Sequence, residues 1–492
     1  MNLRMSTGRS NSGSGPLRLS LRGIAASCYV DLMKPLARFT TVALAAVVVF
    51  LALPNQPAAA QQSYRPAFEK FTLPNGLQCV LHRDTTLPLV SVNMTYRAGS
   101  ARDGKGRSGL ALLTGNLFMI ATPRFPTDSL AALQRMHRAA SSVLTTVDWT
   151  SVYSTWPSDQ LALALDIEAD RLLGGVRHVS PDILKRASAL LVRQRKMEVS
   201  DPYADIDEAL YRETYPAGHP YRTVTSGDTS DLQRLTVKDV QAHASKYFVP
   251  ANASLTIGGR IDPVRVRQLV ERLFGSLPAG AAAQWPKTKP LPPLGVVSLI
   301  KEAPINDARL VILFQTVPFT HPDQPLLTLA AKVLAGSDFA ALVEGVAGRV
   351  PGVQRIEAVQ NAQELDGTFM VSVVASPETS LQDVYKAVLQ VLRSIGRTGV
   401  TDEALQSARN RAEMEFLTPL ETLHGEGGRC DVLNLGNVYT GNPAFSFDML
   451  RSHAAATKTG VRDAIRKYLD PGNHVVLSVV APMRRRQAVT IK

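Results

Sequence analysis

Residues 109–119 set the pattern of the chain. Leu110, Leu113 and Leu117 recur at helical spacing, while Leu112, Phe118 and Ile120 fill the other side, leaving only Thr114 and Asn116 polar. Such a segment predicts a helix that is apolar nearly all round and therefore buried. Gly115 stands in its middle, at a cost of about 1 kcal/mol relative to Ala. Upstream, residues 71–81 read as two β-prone runs joined at Asn75-Gly76, a dipeptide suited to hairpin turns. Residues 90–96 alternate apolar and polar as a strand does, and residues 161–173 and 181–197 carry helical periodicity. The second half continues with strands at 310–314 and 367–374 and helices at 325–335, 382–395 and 402–415. Strand and helix runs mix without strict βαβ alternation. That predicts an α+β fold, each half a largely antiparallel sheet with helices packed on one face.

One unit occurs twice. Thr236, Val240, Lys246-Tyr247, Pro250 and Asn252 precede an apolar strand, and Thr457, Val461, Lys467-Tyr468, Pro471 and Asn473 precede another, at one constant offset. A long-period repeat implies duplicated structural units. Between them, residues 279–293 contain Pro286, Pro290, Pro292 and Pro293, the composition of a semi-rigid linker. The expected organisation is a leader at 1–60, a first domain at 61–280, a linker at 281–293 and a second domain at 294–492.

Composition refines this picture. The chain has 492 residues, 45% hydrophobic and 20% charged, as globular proteins do. Part of its net charge of +12 lies near the start, where Arg4, Arg9, Arg18, Arg22, Lys34 and Arg38 face only Asp31. No aromatic-interleaved basic stripe is present, so no nucleic-acid partner is expected. Lys34 and Arg38, the apolar run from Val42 to Leu53 and Ala58-Ala59-Ala60 form an export signal over about 33–60, with cleavage before Gln61. The apolar run is shorter than the roughly 20 residues a bilayer requires. The mature chain is thus expected to be periplasmic or secreted with no membrane span; the competing reading is an uncleaved anchor. Met33 immediately precedes the signal and is an alternative start. Cys79 and Cys430 then remain in an oxidising compartment, too few for a disulfide framework; two free buried thiols are expected, with a single long-range bridge as the alternative. The nine histidines are scattered, none four residues from another, which argues against a helical metal-ligand pair. Glu168, Asp170 and Arg171 read as solvated or helix-pair charges. The Gly-rich segment 424–429 lacks the lysine and flanking pattern of a phosphate loop.

Ordered pieces along the chain then point to a family. They are Leu73-Pro74-Asn75-Gly76-Leu77, Ala98-Gly99-Ser100, Ser108-Gly109-Leu110-Ala111, Asp148-Trp149-Thr150 and Glu168-Ala169-Asp170-Arg171, followed by His219-Pro220-Tyr221, Tyr247-Phe248-Val249-Pro250-Ala251-Asn252 and Phe274-Gly275. In this order they resemble the insulinase/pitrilysin family of metallopeptidases over roughly residues 68–482. The resemblance implies two similar α+β domains per chain, half of a four-domain clamshell. Active members bear an inverted zinc motif, H-x-x-E-H, whose histidines bind zinc and whose glutamate activates the bound water. Here the corresponding positions are Leu112, Gly115 and Asn116, and the third ligand, a later glutamate, corresponds to Arg193. No His or Glu occurs between Gly99 and Gln134. The companion domain's substrate-holding Arg and Tyr correspond to Val343 and Val350, and the substrate-strand Asn-Ala to Ser142-Val143. The resemblance therefore implies no catalytic residue, no bound metal and no cofactor, where active relatives use zinc. It implies an exported non-catalytic chain pairing with an active peptidase subunit of the same family, or with itself, around a peptide substrate. The alternatives are a scaffold or assembly protein of an envelope complex, and a zinc metalloendopeptidase whose site lies elsewhere in the chain.

Overall fold

The first sheet is built from β1 (Glu69–Thr72), β2 (Gln78–Arg83), β3 (Leu89–Tyr96), β4 (Ala140–Thr145), β5 (Thr150–Pro157) and β6 (Ala253–Gly259). Its order is β1-β2-β6-β3-β5-β4, with β2 and β6 parallel and every other neighbouring pair antiparallel. These coordinates come from a computed structural model that describes residues 65–284, 288–337 and 340–491. The leader, its cleavage site and Pro286 of the linker lie outside the described residues. The first half also contains α1 (Leu110–Ile120), α2 (Thr127–Met136), α3 (Leu161–Gly174), α4 (Pro181–Glu198), α5 (Ile206–Thr214), α6 (Thr229–Arg234), α7 (Val237–Tyr247) and α8 (Pro263–Phe274). The Asn75-Gly76 turn joins β1 to β2. The Asn75 amide donates to the carbonyls of Phe274 (2.7 Å) and Leu277 (3.2 Å), which ties the turn to the end of α8.

The second sheet comprises β7 (Val296–Glu302), β8 (Ala308–Thr316), β9 (Val353–Ala362), β10 (Gly367–Ala375) and β11 (His474–Val480), in the order β7-β11-β8-β10-β9. Its helices are α9 (Gln324–Ala335), α10 (Leu381–Thr398), α11 (Asp402–Leu417), α12 (Arg429–Thr440), α13 (Phe445–Ala455) and α14 (Lys458–Tyr468). The sequence repeat reappears as topology. β6 runs parallel to β2 and antiparallel to β3, and β11 runs parallel to β7 and antiparallel to β8. Each follows a helix capped by a threonine, Thr236 for α7 and Thr457 for α14, whose side chain accepts from a first-turn amide.

Each sheet carries most of its own half's helices on one face. On the first, Val90, Val92 and Met94 of β3 pack with Leu110, Leu113 and Leu117 of α1. On the second, Leu310, Ile312 and Phe314 of β8 pack with α9 and α10. The opposite faces are covered by exchange. Ile206 and Leu210 of α5 pack on Val311, Leu313, Val475 and Leu477 of the second sheet. In return α12 lies on the first sheet. The Asn434 amide donates to Thr95 Oγ1 (2.9 Å) and to the carbonyls of Asn93 (3.0 Å) and Ser254 (3.1 Å). Asp431 accepts from Asn93 Nδ2 (3.1 Å), Tyr153 OH (3.1 Å) and the Gly427 amide (2.9 Å). Close approach is possible because Gly258 of β6 has no side chain: a Cβ there would lie 2.3 Å from Cys430 Sγ.

Burial decides between the two expectations for one charged cluster: Glu168 and Arg171 form a helix pair, spaced i, i+3. Glu168, Asp170 and Arg171 are not solvated; all three are buried on α3. Arg171 pairs with Glu168, and Asp170 pairs with Arg124 at 3.1 Å. Charges excluded from water persist when paired and hydrogen-bonded. Cys79 and Cys430 are both free and buried, and burial pushes the Cys430 thiol up to about 12. Among the described residues no helix is long and apolar enough to cross a membrane.

Candidate functional site

The sequence directs attention to α1 and its neighbours. The Asp103 carboxylate accepts from the amides of Gly109 and Ala111, each at 2.7 Å, and so caps the start of α1. Burial raises the Asp103 carboxyl to about 7 against the pull of those amides. Leu112 is half-buried against the core, and Asn116 donates back to the Leu112 carbonyl at 2.8 Å. Gly115 faces the sheet. A Cβ on it would meet Thr145 Oγ1 at 2.9 Å and Thr150 Cγ2 at 3.0 Å, with Val143 Cγ2 at 3.5 Å. The helix therefore lies against β4 and β5 where a glutamate would need room.

The fourth expected position falls elsewhere. Asn116 shares a hollow of about 250 Å³ with Ile183, Arg186, Ala187, Leu190 and Leu191 of α4. Arg193 lies instead in a separate groove between α4 and the corner joining α6 to α7. Arg193 is on α4, the helix that borders both hollows, but it does not line the one that holds Asn116. Leu190 is one of the α4 residues that line the hollow with Asn116, and Arg186 is the one charged side chain among them. Val343 and Val350 are half-buried and pack against the core of the second half; Val343 opens the π-helical segment Val343–Ala347. Ser142 and Val143 lie on β4, the edge strand of the first sheet. Among the described residues no three His, Cys, Asp or Glu side chains converge as metal ligands would.

The structure assembles a polar cluster that the sequence did not announce. Asp148, in the turn between β4 and β5, accepts from Tyr221 OH (2.5 Å), Tyr439 OH (3.0 Å) and the Glu364 amide (3.0 Å). Trp149 Nε1 donates to Tyr439 OH (3.1 Å), and the Leu365 amide to Tyr221 OH (2.9 Å). His219 meets Asp366 at 3.0 Å and stacks on Tyr215. Burial pushes the Glu364 carboxyl up to about 7, with Asp148 adding to the shift and Arg97 and Arg102 opposing it. Burial also raises the Asp148 carboxyl, opposed by its hydrogen bonds. The cluster clamps the β9–β10 turn and α12 onto the first half, and it holds no nucleophile–base pair of the triad type. Asp148-Trp149 and His219-Pro220-Tyr221 were visible as motif pieces. Glu364 and Tyr439 had no local signal, since their partners lie in distant segments.

The sequence pattern of the Peptidase M16 inactive domain matches residues 234–412. Zinc protease PqqE of Helicobacter pylori is 21% identical over 365 residues, covering 73% of this chain and 82% of the relative. An uncharacterized zinc protease of Rickettsia felis is 19% identical over 353 residues, 71% of this chain and 83% of its own. Among solved structures, a peptidase M16 inactive domain from Pseudomonas fluorescens superposes with a TM-score of 0.74 at 18% identity, over 85% of this chain and 98% of that one. A protease from Helicobacter pylori gives 0.75 at 18% identity, over 85% and 100%. The chain is similar to insulinase/pitrilysin-family peptidases over most of its length. Its α+β fold is that of the M16 inactive-domain structures.

Proposed function

We propose that this M16-like chain is exported and non-catalytic, and that it serves as the inactive partner subunit of an active zinc peptidase of its own family. The observation that carries the reading is α1 itself. Where the family motif requires His, Glu and His, this helix presents Leu112, Gly115 and Asn116, and Gly115 is pressed against Thr145 and Thr150. Leucine cannot ligate zinc, and a glycine cannot act as a general base. The match to a family described as an inactive domain supports the same view. The value of the chain then lies in its surfaces, which complete an assembly with a catalytic subunit and leave the peptide bond to that subunit's zinc. Export rests on the run from Val42 to Leu53 and the small residues Ala58-Ala59-Ala60.

The test is isolation of the native protein from its source. The expected result is a stable pair with an H-x-x-E-H relative, a mature terminus near Gln61 and no zinc held by this chain after dialysis. About one tightly bound zinc per chain, with chelator-sensitive peptide hydrolysis by the isolated chain, would overturn the non-catalytic reading. Recovery only as a monomer at micromolar concentration would overturn the partner role.

A further inference from the structure

The groove that holds Arg193 has a chemistry of its own. It measures about 1,230 Å³ and runs beside α4, with the residues that lead from α6 into α7 forming its other wall. Its floor is apolar: Leu184, Val192 and Leu235 are buried there, and Met197 lies 64% exposed at one end. Its charged lining residues are Lys185, Arg193, Lys196 and Lys238, all exposed. No carboxylate lines it, and among the described residues none of the four cations has an acidic partner. Exposed cations normally scatter among carboxylates, and this chain pairs many of its arginines so, for example Arg107 with Asp239 at 3.1 Å just outside the groove. Four unpaired cations around one apolar trough form a surface complementary to an anion with an apolar face.

We propose that this groove binds an acidic amphipathic helix of another protein. Size favours a polypeptide over a small molecule, because the volume exceeds the roughly 300–1,000 Å³ of small-ligand pockets. Shape favours a helix: α4 has 18 residues, which at about 1.5 Å per residue gives a wall of roughly 27 Å. A partner helix of several turns fits alongside, its apolar i, i+3, i+4, i+7 face on Leu184, Val192 and Leu235 and its carboxylates against the cationic rim. Charge disfavours the chain's own leader, whose six cations against one carboxylate would be repelled. A second copy of this net-positive chain is disfavoured for the same reason. The inference does not depend on the partner being a peptidase.

The experiment places a photo-cross-linking amino acid at Ala189, which lines the groove, in the full chain expressed in its own source cells. Val264 on α8, 67% exposed, is the control position. The expected product is a cross-link from position 189 to a net-negative amphipathic helical segment of one protein, mapped by mass spectrometry. The double reversal Lys185→Glu with Lys196→Glu should reduce it at least tenfold, with the melting temperature unchanged. Arg265→Glu on α8 should leave it intact. Cross-links to lipid, to a basic segment, to the leader or to a second copy would each overturn the proposal. So would cross-linking no greater than at Val264, or insensitivity to the double reversal.

Discussion

Replacing Gly258 with alanine tests whether α12 is held on the first sheet by close approach. The added Cβ would lie 2.3 Å from Cys430 Sγ and 3.2 Å from Leu423 Cδ1. Non-bonded heavy atoms rest at about 3.5–4.0 Å, so the helix or the strand must yield by more than about 1 Å. Cys430 is 1% exposed and cannot swing into solvent. Overpacking of this kind costs about 1–3 kcal/mol. Removing a strand glycine offsets roughly 0.5–1 kcal/mol of that through the unfolded chain. The net expectation is a loss of about 1–2 kcal/mol, a fall of roughly 5–30-fold in the folded-to-unfolded ratio. Cys430→Ala alone leaves a small void worth about 1 kcal/mol. In the double variant the new methyl group occupies that void, so stability returns toward wild type and the coupling reaches about 1–3 kcal/mol. Urea unfolding of the four proteins at 25 °C, followed by far-UV circular dichroism, measures the cycle. A constant m-value would show that the denatured state is unchanged. If the two substitutions add to within about 0.5 kcal/mol, the two residues do not touch and this placement of α12 is wrong.

Three further outcomes follow from the same structure. Asp431→Ala removes the acceptor for Asn93 Nδ2, Tyr153 OH and the Gly427 amide; it should destabilise by at least about 3 kcal/mol, since each buried unsatisfied group costs roughly 1–3 kcal/mol, and a urea midpoint within error of wild type would contradict the network. His243 is buried against Tyr247 and Phe248, and burial, assisted by Lys246 and Arg102, depresses its ring to about 3. A depressed histidine contributes stability that is present above its unfolded value of about 6.5 and lost as pH falls toward 3, at about 1.4 kcal/mol per pH unit; His243→Leu should flatten the melting temperature between pH 6.5 and 4, and parallel curves for the two proteins would refute this. Finally, Leu112→His and Asn116→His combined with Leu190→Glu should bind zinc more tightly than the same pair combined with Arg193→Glu, because Leu190 lines the hollow that holds Asn116 and Arg193 does not; equal affinities by calorimetry would reject that assignment.

Local periodicity carried much of the architecture. The buried helix α1, the Asn75-Gly76 hairpin and the duplicated Thr-to-Asn unit ahead of β6 and β11 each depend on neighbours within a few residues. The exchange of α5 and α12 was not legible. Asn93 and Thr95 are polar positions of the alternating run at 90–96, and Asp431, Asn434 and Asn437 are polar positions three residues apart. Each polar stripe is the other's partner, and all five residues are buried. Alternation shows which positions are polar but not whether water or protein satisfies them. The candidate site divides in the same way. Leu112, Gly115 and Asn116 are adjacent because they share one helix, whereas the residue on α4 that meets them depends on helix phase, which a count from a distant motif cannot fix. The Asp148 cluster joins separate segments of both halves and leaves only fragments of motif behind.

The exchange also constrains how the chain is made. Asn434 of α12, the cover of the first sheet, lies 341 residues beyond Asn93, so in a chain that emerges N-terminus first the first half waits for nearly the whole chain before that face closes. Chain closure over such a span carries an entropic cost that grows only slowly with length; the larger hazard is what stays uncovered meanwhile. Here the composition matches the schedule. The face that waits displays Ser91, Asn93, Thr95 and Ser254, groups that water can satisfy in the interim. The apolar reverse face of the second sheet, with Val311, Leu313, Val475 and Leu477, receives its cover from α5, which has been synthesised long before those strands emerge. The cover for the apolar face is made before the face itself, and the face that waits longest for its cover is the wettable one. Exchanging the chemistry of the two faces and of their covers while keeping the fold would leave an apolar face waiting longest and yield a chain prone to aggregate before its folding is complete.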